Sequence, residues 1–159
     1  MQSDFERFLQ DAEDHYLQRS EIVEFQQQVS GLKQRLQTYE YLRDRELEIW
    51  QPIAEQLQAT CPEESPQQLE KALEHWIAIL RCSAMAMLLN DPKFLQNRLL
   101  EWLTDIVQAH QINALVDQLS QRLELRLKQV LSEPQWNLIQ PYLAQTRRTL
   151  LGTESLTIG

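Results

Sequence analysis

The chain has 159 residues, of which 43% are hydrophobic and 24% are charged, and its formal net charge is −8. This length is sufficient for one domain with its own hydrophobic core. Only three glycines are present, and their scarcity, together with abundant Leu, Gln and Glu, favours an all-α fold over sandwiches and barrels. The acidic charge disfavours nucleic acid and anionic membrane surfaces as partners, because phosphate binding needs a basic surface.

The first predicted element is an amphipathic arm at the N-terminus. Its apolar side chains share one helical face, and they are Phe5, Phe8, Leu9, Ala12 and Tyr16. A terminal helix with two phenylalanines has to bury them, either on its own domain or on a second subunit. We therefore assign residues 1–17 to the arm and residues 18–152 to the body of a single domain, and we expect a flexible tail at 153–159.

A long helical pattern follows the arm, from residue 21 to about residue 58, with Ser20 as its predicted N-cap. Such a length is unusual for one helix of a globular protein. Pro52 is expected to kink or split the helix, because proline lacks an N–H and clashes with the preceding turn. Residues 60–65 (TCPEES) form the clearest predicted loop.

The chain is organised around the helix that begins after this loop. Ser65 and Gln68 have the spacing of a capping box. Residues 76–89 are apolar nearly all round, with Arg81 as the only charge, so we expect this helix at the centre of the domain. The apolar run is shorter than the roughly twenty residues that span a bilayer, and we predict no membrane insertion.

Three further helices are predicted in the C-terminal half. One starts at Asp91 and runs to about Gln111, and another starts at Asn113. The last starts at a second capping box in residues 132–135, and Gly152 is its predicted stop.

No motif of a known catalytic or phosphate-binding site occurs in the chain, which predicts a protein that is not an enzyme. Cys61 and Cys82 are expected to be free thiols in a cytosolic-looking chain, and no residues have metal-ligand spacing. His75 is either an ordinary surface histidine or a contact to a tetrapyrrole or other planar ligand. Trp76 is interpreted mainly as a core residue, with a role as a wall of such a pocket as the alternative.

Arg81 lies within the apolar run and needs a partner for its charge, because unpaired burial of a guanidinium costs several kcal/mol. One option is an acid from another helix of the same chain. The other is an acid on the N-terminal arm of a partner. The residues alone leave both options open.

Two groups of residues in a shared register carry a family resemblance. They are Tyr16 and Leu17 followed by Ile22, and Leu80 and Arg81 followed by Asp91, Leu95, Arg98 and Leu100. In this register nearly the whole chain resembles the phycobiliproteins, the globin-like pigment subunits of cyanobacterial antennae. The resemblance implies an all-α, globin-like (phycobiliprotein-type) helical bundle with an amphipathic N-terminal helical arm. It also implies that Asp11 pairs across a dimer interface with Arg81, alongside Phe5, Phe8, Leu9 and Tyr16.

Three positions depart from the pigmented members of that family. The cysteine that carries the bilin aligns with Ala72, which has no nucleophile. The arginine for a bilin propionate and the aspartate for the pyrrole nitrogens align with Glu74 and His75. No covalent chromophore is therefore expected, and the chain resembles the bilin biosynthesis-associated globins.

This resemblance implies a non-pigmented, cytoplasmic protein with an accessory or regulatory role. The resemblance places that role in bilin or tetrapyrrole metabolism or in phycobilisome biogenesis. Its expected partners are a second copy of the chain and tetrapyrrole-pathway enzymes or phycobilisome proteins. One alternative is a sensor or carrier that binds bilin or haem non-covalently at His75 and Trp76. The other alternative is an unpigmented structural component of the phycobilisome.

Overall fold

The computed structural model describes residues 4–107 and 112–157, and it describes side chains for residues 6–102, 115 and 117–150. This part of the chain contains helices and no strand. The helices are α1 (Asp4–Asp14), α2 (Arg19–Asp44), α3 (Glu46–Thr60), α4 (Pro66–Leu89), α5 (Pro92–Val107), α6 (Ile112–Val130) and α7 (Glu133–Thr157). The prediction of an all-α fold is confirmed.

Helix α4 lies at the centre of the bundle and packs against α2, α3, α5, α6 and α7. Ile79, Ala86 and Met87 on α4 are almost completely buried. The surrounding helices bury further aliphatic side chains against them, including Ile49, Ile53, Leu57, Leu95, Leu99, Leu119, Leu123, Leu127 and Ile139. The central position expected from the apolar run is confirmed, because only a helix with neighbours on most sides can bury such a surface.

Two helices begin with the capping boxes expected from the sequence. The backbone N–H of Gln68 donates to Ser65 Oγ at 3.2 Å, and the backbone N–H of Ser65 donates to Gln68 Oε1 at 3.4 Å. The equivalent distances between Gln135 and Ser132 are 3.3 and 3.0 Å. Both boxes satisfy backbone donors that have no partner within the first helical turn.

The corner between α4 and α5 also has the expected chemistry. Asn90 adopts a left-handed backbone conformation with φ of 52°, a position where asparagine is tolerated better than most residues. Asp91 Oδ1 accepts a hydrogen bond from the backbone N–H of Lys93 at 3.0 Å. The N-cap predicted at Asp91, before Pro92 at the first helical position, is confirmed.

The long helix divides at Arg45, between α2 and α3, so the predicted split at Pro52 is wrong, and Pro52 lies inside α3. A proline in a helix leaves the carbonyl four residues earlier without a donor. Here that carbonyl belongs to Glu48, and Arg126 Nη2 from α6 donates to it at 2.9 Å. The tertiary hydrogen bond replaces the missing one, so the helix tolerates the proline.

Two predicted helix ends are also wrong. Helix α2 begins at Arg19, before Ser20, and the backbone N–H of Gln18 donates to Glu21 Oε2 at 3.2 Å. Helix α7 passes through Gly152 and ends at Thr157. A glycine ends a helix by adopting positive φ, and among the described glycines none has a positive φ.

Candidate functional site

The N-terminal arm folds back on the first part of α2. Phe8 is only 5% exposed, and its ring meets the ring of Phe25 edge-on, with centroids 5.5 Å apart and planes at 80°. Arg7 forms an ion pair with Glu24. Phe8 is therefore covered by its own chain, which the sequence left open. The side chain of Phe5 lies outside the described residues.

Two other apolar side chains of the arm are exposed. Leu9 is 71% exposed and Tyr16 is 99% exposed. We use the name arm surface for these two residues together with the exposed Ile22, Val23 and Val29 of α2.

Arg81 emerges from the apolar helix at the protein surface, where its side chain is 66% exposed. Its Nε and Nη2 donate to the two carboxylate oxygens of Glu46 at 2.7 and 2.9 Å. These hydrogen bonds raise the pKa of Arg81 above its usual value. Within one chain, the partner of Arg81 is thus an acid from another helix. Asp11 lies on α1 and is half-buried.

A notch of about 260 Å³ lies beside this ion pair. Tyr39, Leu42, Leu80 and Ala84 form its apolar walls, and charged side chains stand next to them. The notch is large enough for an apolar side chain of another molecule, with the Arg81 guanidinium available to a carboxylate nearby.

The cleft that Trp76 lines does not include His75. His75 is exposed, whereas Trp76 is only 3% exposed. Consecutive residues of a helix point in directions about 100° apart. Trp76 lines a cleft of about 200 Å³ against α6 and α7, with Trp136, Glu124 and Arg147 also in its walls. The two residues expected to hold a planar ligand are therefore separated by the helical register.

The remaining candidate positions lie on α4 or just before it. Ala72 is half-buried against the core, and Glu74 is exposed. Cys61 and Cys82 are free thiols that are both half-buried, and burial raises the pKa of Cys82. Among the described residues, no cluster of histidine, cysteine and acidic side chains could hold a metal ion.

A larger cavity lies between the end of α3 and the start of α4, and sequence reasoning did not find it. We call it the α3–α4 groove. Its volume is about 660 Å³. Leu69, Leu73 and Ile77 line it at intervals of four residues. This spacing is the signal that could have indicated it, but the same residues also read as an ordinary core stripe.

Together, the fold and the residues described above define the class of the protein. It is an all-α bundle around one central helix, with an apolar arm surface and, in the described residues, no metal cluster. Of the described helices, α4 alone is long and apolar enough to cross a membrane, a test that the core helix of a soluble protein also passes.

The chain belongs to the phycobilisome protein family, whose model, described as "Phycobilisome protein", matches residues 9–150. No curated protein and no solved structure matches the chain. The family match confirms the resemblance to phycobiliproteins and their globin-like, all-α fold. The family is a non-enzymatic, light-harvesting one, and its pigmented members carry bilin chromophores. A bilin is therefore the first ligand class to test, and other phycobilisome proteins are the first partner class.

Proposed function

We propose that the protein is a non-pigmented accessory or regulatory member of this family that acts through protein contacts. In this proposal it is a cytoplasmic homodimer, not an enzyme, and it serves bilin or tetrapyrrole metabolism or phycobilisome biogenesis. The single observation that carries the proposal is the arm surface. Leu9 is 71% exposed and Tyr16 is 99% exposed, apolar side chains of α2 are exposed as well, and exposed apolar side chains in this number favour a protein partner.

The region around Arg81 supports a second copy as that partner. The notch beside it has apolar walls, and its Glu46–Arg81 pair is exposed. The α1 helix of a second copy carries a carboxylate, Asp11, that complements the guanidinium of Arg81. In the proposed dimer, Asp11 of one copy shares the guanidinium of Arg81 of the other with Glu46.

The side chains at the family's pigment positions support a function without covalent bilin. Ala72 offers no sulfur for a thioether. Glu74 is an exposed carboxylate and would repel a propionate. His75 is exposed. These residues do not fit a bilin held in the manner of the pigmented subunits.

Sedimentation velocity tests the dimer. The native protein is expected to sediment as a dimer at micromolar concentration, and the double variant Leu9→Asp/Tyr16→Asp as a folded monomer with an unchanged circular dichroism spectrum. The matched control is Leu100→Asp/Leu125→Asp, which places acids at exposed leucines outside the arm surface. A native protein that sediments as a monomer would contradict the proposal.

Co-purification tests the accessory role against the structural one. A tagged protein should separate from assembled phycobilisomes and should retain no pigment after denaturation. Stoichiometric co-purification with rods and cores would instead favour the unpigmented structural component. Pigment that survives denaturation would contradict a non-pigmented function.

A further inference from the structure

The α3–α4 groove has an apolar floor and an open mouth. Leu57 and Leu69 form the floor and are buried, while Leu73 and Ile77 are half-buried in its wall. The α3–α4 connection supplies further lining residues, Cys61, Pro62 and Glu64. Each half-buried apolar side chain leaves part of its surface for contact with another molecule.

The dimensions of the groove fit a short helix. Its lining residues run from Pro66 to Ile77 on α4 and from Ala54 to Gln58 on α3. At 1.5 Å per residue these stretches are about 16 and about 6 Å long, and the longer one corresponds to roughly three turns of a bound helix. An amphipathic helix uses such a groove by placing side chains at i, i+4 and i+7 along the floor.

The charged residues that line the groove all have the same sign. Glu64, Glu70 and Glu74 line it, and no lysine or arginine is among the residues that form it. Glu70 and Glu74 stand one helical turn apart on the exposed rim of α4. A rim of carboxylates around an apolar floor is complementary to a helix whose apolar stripe is flanked by basic side chains.

The groove is held in place by contacts on its far side. Arg122 of α6 donates to Gln56 Oε1 at 2.9 Å and to Thr60 Oγ1 at 3.0 Å. Cys61 Sγ donates to Gln118 Oε1 at 3.1 Å. These bonds fix the end of α3 without placing Arg122 in the groove. A preformed site loses less conformational entropy on binding.

We propose that the α3–α4 groove binds an amphipathic helix with lysine and arginine flanks, supplied by a partner protein. The partner is not a second copy of this chain, whose net charge is −8 and whose Arg147, in its Arg147–Arg148 pair, is already bound to Asp117. The site belongs to α3 and α4, whereas the arm surface belongs to α1 and α2. Binding therefore does not depend on the proposed dimer.

Fluorescence anisotropy with synthetic peptides tests the proposal on the full-length protein. The probe is a labelled helical peptide of about four turns with a leucine stripe and lysines elsewhere, and its counterpart replaces each lysine with glutamate. The basic peptide should bind saturably, more weakly as salt rises, and the acidic peptide should not bind. Glu70→Lys/Glu74→Lys should weaken binding about tenfold or more, because two attractions become repulsions.

The matched control is Glu40→Lys/Glu101→Lys, which changes the net charge equally at exposed helical glutamates that do not line the groove. Its affinity for the basic peptide should stay within about twofold of the native value. Ala54→Trp, which fills the groove without changing a charge, should also abolish binding. Because Glu70 and Glu74 are exposed, their double variant tests the groove even if the tryptophan variant does not fold.

Three results would overturn the proposal. They are equal affinity for the basic and acidic peptides, equal weakening by the groove and control variants, and a change of sedimentation coefficient in Glu70→Lys/Glu74→Lys. The last result would mean that a second copy occupies the groove. The Leu9→Asp/Tyr16→Asp protein should still bind the basic peptide, so failure of the dimer and failure of the groove are distinguishable.

Discussion

Arg81 on α4 holds Glu46 on α3 through both carboxylate oxygens, at 2.7 and 2.9 Å, while the pair remains exposed to solvent. Two parallel hydrogen bonds between a guanidinium and a carboxylate give a defined orientation. The contribution to folding is nevertheless small, because exposed ion pairs add about 0–1 kcal/mol. The pair is thus better suited to orient Arg81 toward a partner than to stabilise the fold.

The first prediction concerns the proposed contact between Asp11 of one copy and Arg81 of another. Asp11→Asn and Arg81→Gln should each raise the dimer dissociation constant about two- to fivefold, and the double variant should do little more than either one. Glu46→Gln should leave dimerisation intact or strengthen it, because it releases Arg81 from its competitor. Sedimentation equilibrium measures all four constants. Additive effects of Asp11→Asn and Arg81→Gln would mean that the two residues do not interact.

The second prediction concerns Phe8, which docks the arm on its own chain. Phe8→Ala should lower the free energy of unfolding by about 2 kcal/mol, less than a fully central phenylalanine, because Phe8 loses contacts mainly with α2. Urea denaturation at one fixed protein concentration measures the change. Leu125→Ala, at an exposed leucine of α6, is the control and should stay within about 0.5 kcal/mol. An equal loss in both variants would mean that the Phe8–Phe25 contact adds no stability.

The third prediction concerns the alternative of a haem or bilin sensor at His75. Any spectral shift in an absorbance titration with haem or with a bilin should be the same for the native protein and for His75→Ala. The reason is that His75 is exposed and the cleft beside Trp76 is about 200 Å³, below the roughly 300 Å³ at which ligand pockets begin. A saturable Soret shift that His75→Ala abolishes would restore that alternative.

The fourth prediction concerns Tyr142 on α7 and alkaline pH. Burial raises the pKa of Tyr142, and Asp91 adds to this effect while Arg35 opposes it. The folded protein therefore keeps the phenolic proton at a pH where the unfolded chain releases it. The contribution of Tyr142 to the free energy of unfolding is fully present well below pH 10. It is lost as the pH rises through about 10 and above.

Thermal denaturation between pH 7 and about 11 measures this loss. Tyr142→Phe should show a smaller fall of Tm above pH 9 than the native protein does, since phenylalanine has no proton to lose. Tyr16→Phe is the control, because the side chain of Tyr16 is 99% exposed. If both variants follow the native curve, another group causes the alkaline loss.

The sequence was sufficient for those parts of the fold that depend on neighbouring residues. The capping boxes at Ser65 and Ser132 need only residues three positions apart, and both form as expected. The central position of α4 follows from its own composition, because a helix that is apolar on nearly all sides has to be covered by other helices. The family register, carried by residues such as Tyr16 and Arg81, added the globin-like arrangement.

The parts that were missed depend on contacts between distant residues. Pro52 does not break α3 because Arg126, far along the chain, supplies the lost hydrogen bond. The α3–α4 groove is assembled from two helices, and neither carries the whole pattern. His75 and Trp76 are a different case. Consecutive residues of a helix point in different directions, so the predicted helix alone was sufficient to separate these two side chains.

Gly31 lies in α2, and apart from the neighbouring backbone of its own helix no atom stands within 4 Å of the position that a Cβ would occupy there. A glycine inside a helix costs about 1 kcal/mol relative to alanine, and here no close contact demands it. Replacing Gly31 with alanine should therefore raise the free energy of unfolding. A single substitution at this position could compensate for a destabilising change of about 1 kcal/mol elsewhere in the fold, including one at the arm surface or the groove.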